Sequence, residues 1–193
     1  MASKARIPHL TPPYKPPVEA ALAVMHPKNS PVEPLKLFRT MARNLPLGKA
    51  MSQLGPYMLG RNANFDMRSR EIVIDRVTAR CNCEYEWAVH VAGYAHRVGL
   101  TDDQVYSIVH GKASDPCWDK KDSALIAMVD EVHDSGHVSD PVWASLTEHF
   151  DELGLMELLV LAGWYHAISF LANGARVELE DWAPRFPAKH RAD

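Results

Sequence analysis

The chain has 193 residues, enough for one sizeable core, and its 47% apolar and 23% charged residues are the usage of a globular domain, not of a disordered or membrane-embedded chain. A net charge of -3 without a Lys/Arg run leaves no electrostatic footprint for a phosphate backbone, so nucleic acid is not an expected partner. Cys81, Cys83 and Cys117 do not make the even framework of a disulfide-stapled secreted protein. Neither a signal peptide nor a stretch approaching 18 apolar residues is readable, and the expectation is a cytoplasmic protein with no membrane partner.

Prolines recur from Pro8 to Pro34, each removing an N–H and disfavouring helix at the residue before it, so residues 1–34 read as an extended arm in which only Val18–Met25 can form a short helix. Such an arm is expected to lie across its own domain or a neighbouring subunit. A 3.6-residue apolar period then takes over through Leu35, Phe38, Met41 and Leu45, and again through Ala50, Met51, Leu54 and Met58, predicting two short helices. Ser69 is a weak start signal before Ile72, Val73, Ile74 and Val77. This run is β-branched enough to suit a strand, but its period continues helically to Cys81.

Glu84–Val98 predicts an amphipathic helix with Gly99 at the left-handed C′ position, and Thr101 to Gln104 has the form of a capping box. Further helices are expected from Lys120 to Val132, from Ser139-Asp140-Pro141 onward, and from Asp151 through Leu171. The last is apolar nearly all round, as befits a central or interfacial helix. No strand-like alternation emerges, so the chain reads as all-α, with one helical domain over residues 35–182 and a loose tail over 183–193.

The stretch with chemical content runs from Glu71 to His90. With helix from Cys83 onward, residues 83, 86 and 90 share one face, so that a thiol, a carboxylate and an imidazole converge. Glu71, on the preceding antiparallel helix, reaches the same spot if the turn at 80–83 is short. Cys81 could pair with Cys83 only where the backbone is non-helical. Glu86 and His90, with Cys83, also have the spacing of metal ligands, although i,i+4 Glu–His pairs are frequent as plain hydrogen bonds. His133 and His137 repeat that spacing across Ser135-Gly136 and read as a solvated helix end.

Glu71 twelve positions before Cys83, then Cys83-x-x-Glu86-x-x-x-His90 and a helix ending Arg97-Val98-Gly99-Leu100-Thr101-Asp102-Asp103, resembles the signature of the carboxymuconolactone decarboxylase and alkyl hydroperoxidase D family. The resemblance is specific over residues 70–109 and looser over 119–180. It implies a helical bundle with a helical-hairpin active site, homo-oligomeric assembly, a small-molecule substrate, and no metal or cofactor. In the hydroperoxidase branch the position of Glu86 is a second cysteine, which resolves the first as a disulfide; Glu86 cannot do that.

What remains resembles the decarboxylase branch, with acid–base chemistry on a small organic acid or lactone. His90 is then the proton donor, Glu86 or Glu71 the base, and Cys83 a wall or weak donor. Arg76 and Arg80, one turn apart, are candidates to receive a substrate carboxylate, with a salt bridge as the duller account. Tyr85, Trp87, Tyr94, Trp164 and Tyr165 could line a pocket for an aromatic or lactone ligand, although aromatics at helical spacing are more often core, and His166 is a candidate because an apolar helix needs a reason for its polar members. The rival readings are a thiol-dependent hydroperoxide reductase and a non-catalytic scaffold.

Overall fold

The structure, a computed structural model, describes residues 4–26 and 33–189. Among these every regular element is helical: α1 (Pro16–Met25), α2 (Lys36–Met41), α3 (Leu45–Leu59), α4 (Met67–Arg80), α5 (Glu84–His90), α6 (Asp102–His110), α7 (Lys120–Ser135), α8 (Asp140–Thr147) and α9 (Glu152–Ala175). The all-α expectation holds.

Helix α4 is the axis of the fold, packed by α5, α6, α7 and α9. It begins earlier than Ser69 suggests, because the Asp66 carboxylate accepts the Ser69 N–H at 2.7 Å and so caps the helix three residues upstream of that serine. Ile72, Val73, Ile74 and Val77 are fully buried. Their strand-like run is thus a helix buried on all sides, where packing overrides the modest propensity penalty of β-branching.

The charged residues of α4 follow a rule of their own. Arg68 pairs with Asp122, Arg76 with Asp130 and Arg80 with Asp134, each 54 residues apart. A constant separation means that α4 and α7 run parallel, side by side.

Helix α9 is long and apolar enough to cross a membrane by length and composition alone, contrary to the expectation that no stretch approaches that length; half of its apolar window is buried within the fold, as for a core helix. Its inner face packs on α4 and α5, while Leu153, Met156, Val160 and Phe170 stay exposed along its outer face. The left-handed Arg176 ends it, and the N–H groups of Arg6 and Ile7 reach back to the Ala175 carbonyl at 2.9 and 3.1 Å. The N-terminal arm therefore lies across its own domain.

The C-terminal tail is not loose through Pro187. Phe186 stacks on Trp87 with ring centroids 4.9 Å apart and donates its N–H to Glu84, and His110 Nε2 lies 2.6 Å from the Pro187 carbonyl. The capping box of α6 is present in full, and Gly99 and Gly136 take positive φ after their helices.

Candidate active site

Three residues turn the chain from α4 into α5. Cys81 closes α4, Asn82 takes a left-handed φ of 49°, and Cys83 opens α5. The turn sends α5 back antiparallel to α4, with the Cys83 N–H bonded to the Thr78 carbonyl at 2.8 Å. Three turns up the hairpin this register sets Glu71 opposite His90: Glu71 Oε2 lies 2.7 Å from His90 Nδ1. Immediately beyond His90 the helix widens into a π-helical turn, Val91–Ala95, instead of running evenly to Val98. Such turns recur at functional sites because they re-aim side chains, and this one carries Tyr94.

His90 is almost wholly enclosed, yet bonded by side chains on both ring nitrogens. Its Nε2 faces the Tyr165 hydroxyl of α9 at 3.1 Å and Glu86 Oε1 at 3.7 Å. Burial alone would depress the imidazole pKa, but the charge of Glu71 and its hydrogen bond, with Glu86 adding to both, hold it well above the ordinary histidine value. At neutral pH the ring is an imidazolium with Nδ1–H donated to Glu71. Arg70 steadies the other side of Glu71, donating Nε to Oε1 at 2.7 Å and a second N–H to the Leu59 carbonyl at 2.8 Å, while its guanidinium sits 5.3 Å from the Tyr94 ring centre.

One turn below Glu71, Asp75 is fully buried with neither oxygen hydrogen-bonded. Desolvation, reinforced by the Glu71 charge, pushes its pKa well up, so it is carried as the neutral acid.

A cavity of about 430 Å³ opens onto this group. Glu86, His90, Tyr94 and Tyr165 supply its polar end, and Leu37, Phe38, Met41, Met51, Val89, Trp164 and Ile168 much of its apolar wall, with α1 contributing Val24 and Met25. Glu86 Oε2 has no partner. Among the described residues no lysine or arginine lines the cavity.

The structure thus brings Glu71, Glu86, His90 and Tyr94 together, and leaves other predicted residues apart. Cys83 is adjacent in sequence but fully buried and outside the cavity lining, with burial raising its thiol pKa to about 11 despite the helix start that would favour a thiolate. Arg76 and Arg80 lie outside the cavity lining and are paired within the fold: Arg76 holds Asp130 through two bonds of 2.7 Å and donates to the Ile108 carbonyl, and Arg80 is paired with Asp134 and Asp130. Their guanidinium groups serve the α4–α7 seam.

His166 faces away from the cavity, toward His133. The residue of α9 that bonds His90 is its neighbour Tyr165, with Trp164 and Ile168 beside it in the wall. Its sequence signal is that of a pocket aromatic in the Trp164-Tyr165-His166 run, which has no phase on a helix apolar all round.

Residues 46–130 match the sequence profile of the carboxymuconolactone decarboxylase family, a span that includes α4, the turn and the whole Glu71–Glu86–His90 group. Over those residues the chain is similar to this family. Solved structures agree on its AhpD-like fold at low sequence identity. An Agrobacterium tumefaciens protein of unknown function, a candidate AhpD for antioxidant defence, superposes with a TM-score of 0.61 at 19% identity, covering 68% of this chain and 89% of its own.

The debrominase Bmp8, as a cysteine-to-alanine variant in complex with 2,3,4-tribromopyrrole, gives 0.74 at 12% identity over 94% and 95% of the two chains. An uncharacterised peroxidase-related protein from Silicibacter sp. TM1040 gives 0.75 at 13% over 93% and 95%. No curated protein matches the chain in sequence. The family's fold therefore stands, shared among proteins of different chemistry.

Proposed function

We propose that the protein is an enzyme of cofactor-free acid–base chemistry on a small ring-shaped molecule, a lactone or related compound undergoing decarboxylation or a kindred lyase or isomerase step. One observation carries this reading: the His90 ring, held between Glu71 and Tyr165, faces a mostly apolar cavity beside an oxygen of Glu86 that has no partner among the described residues. Decarboxylation leaves a carbanion or dienolate, which needs a positioned proton donor and a nearby hydrogen-bond donor. His90 Nε2–H is the donor, the Tyr165 hydroxyl the adjacent stabiliser, and Glu86 the group that accepts a substrate proton or hydroxyl. Glu71 touches no cavity space; it positions His90 and keeps it charged.

The wall chemistry narrows the substrate. The described part of the wall is mostly apolar with its polar groups gathered around His90, so a lactone or other ring with one polar edge suits it. Bonding of His90 to side chains, with a cavity in front of it, also weighs against a non-catalytic scaffold. In a screen of carboxylated and neutral lactones, His90→Ala should lower kcat/KM by about 10²–10⁴-fold and Glu86→Gln by a smaller factor, with Cys83→Ser close to wild type. Full turnover in both of the first two variants would remove the proposal.

The rest of the reading is a cytoplasmic self-assembling protein. The exposed stripe of Leu153, Met156, Val160 and Phe170 on α9 supports contact between copies. Sedimentation of a Phe170→Glu variant should show smaller particles than wild type, and a wild-type monomer would dismiss that face.

A further inference from the structure

Outside the cavity, at the opposite side of the α4–α9 packing, three side chains from three helices meet. Cys81 closes α4, His133 stands in the last turn of α7, and His166 lies mid-way along α9; one ligand atom from each lies within 4.8 Å of the others. We propose that Cys81, His133 and His166 form a site for a zinc-class divalent metal ion, with a fourth position left to water. The site is separate from the acid–base centre and does not depend on the reaction proposed there.

Each ligand is oriented as a metal site requires. His166 Nδ1 lies 2.8 Å from the Ala162 carbonyl, one turn back in its own helix, and must carry the proton there. Its Nε2 is then a lone pair aimed at His133 Nδ1, 2.9 Å away. A backbone carbonyl holding the far nitrogen of a ligating histidine fixes its tautomer and the direction of its ring.

Without a metal, His133 must keep its own proton on Nδ1 to make that contact; binding moves this proton to Nε2 and opens the two nitrogens by a few tenths of an ångström. Arg80, next in sequence to Cys81, is already paired with Asp130 and Asp134.

Cys81 supplies the charge. Binding releases one proton as its S–H becomes a metal thiolate. The C-terminal end of α4, with its outward carbonyls, favours a cation at this place. A thiolate with two imidazoles is a donor set for a borderline ion such as Zn²⁺, and too soft for Mg²⁺ or Ca²⁺. The arrangement staples α4, α7 and α9 at one point. Because His166 follows Tyr165 directly, the metal would also set the rotation of α9 that brings Tyr165 to His90.

The test uses the full chain, titrated with Zn²⁺ against a chromogenic chelator and separately with Co²⁺. One equivalent should bind, with a thiolate-to-cobalt charge-transfer band in the near ultraviolet, and bound Zn²⁺ should protect Cys81 but not Cys117 from alkylation in the unaltered protein. Because loss of an outer-shell partner alone weakens metal sites by about 10–100-fold, Cys81→Ser and His133→Ala should weaken binding by at least about tenfold, and His137→Ala should not. No binding, binding without the charge-transfer band, or binding that leaves Cys81 as reactive as before would each overturn the site.

Discussion

Glu71 Oε2 stands 2.7 Å from His90 Nδ1, so two residues 19 apart in sequence share one buried ionic hydrogen bond. The pair makes His90 a charged donor at a pH where a free imidazole would be largely neutral.

Replacing Glu71 by Gln keeps the shape and removes the charge. The His90 pKa should then fall by at least about one unit, and the alkaline limb of kcat/KM, where the donor form is lost, should move to lower pH. Because the folded pKa lies above the unfolded value, this pair stabilises the wild type fully below about pH 6.5 and loses that contribution as pH rises through the folded pKa. A pH–rate profile of the variant superimposable on wild type would show that Glu71 does not set the charge of His90.

Asp75 has the opposite linkage. Its pKa is raised by burial, so the unfolded chain gives up the proton before the folded one does, and stability falls as pH rises from about 4 toward the folded value. The slope can reach about 1.4 kcal/mol per pH unit for one proton. Asp75→Asn, neutral at every pH, should gain on wild type in urea melts as the buffer moves from pH 4.5 to pH 8; a constant difference between the two proteins would contradict the assignment.

Arg76 tests the reassignment of the arginines. It is buried, holds Asp130 and donates to the Ile108 carbonyl, so Arg76→Ala should destabilise the fold by about 3 kcal/mol through an uncompensated partner. KM for any substrate found should be unchanged in the folded fraction. A tenfold rise in KM without loss of stability would restore the substrate-binding role.

The thiols decide between the enzyme classes. Residues 81–83 are non-helical, which is the backbone condition for a Cys81–Cys83 pair, but a Cys83 pKa near 11 leaves almost no thiolate at neutral pH. A thiol count by mass spectrometry before and after stoichiometric hydroperoxide, then reductant, should be unchanged. Catalytic peroxide consumption with a reversible disulfide would transfer the activity to the cysteines and make Glu86 a bystander.

The sequence by itself determined the helical class, the α4–α5 hairpin and the convergence of Glu71, Glu86 and His90, because all of these follow from local period and a short turn. It determined the α6 capping box for the same reason. It did not place Cys83, whose side chain is turned out of the cavity by one step of helix phase at the N-cap. It offered Tyr165 only as one of several aromatics that could line a pocket, because a helix apolar on every face does not show which of three neighbouring polar tips points inward. Only the tertiary structure decided the partners of Arg76 and Arg80, since the 54-residue offset of the parallel helices α4 and α7 is a fact of packing. The same packing brought Cys81, His133 and His166, from three separate helices, to one point that no spacing along the chain could have indicated.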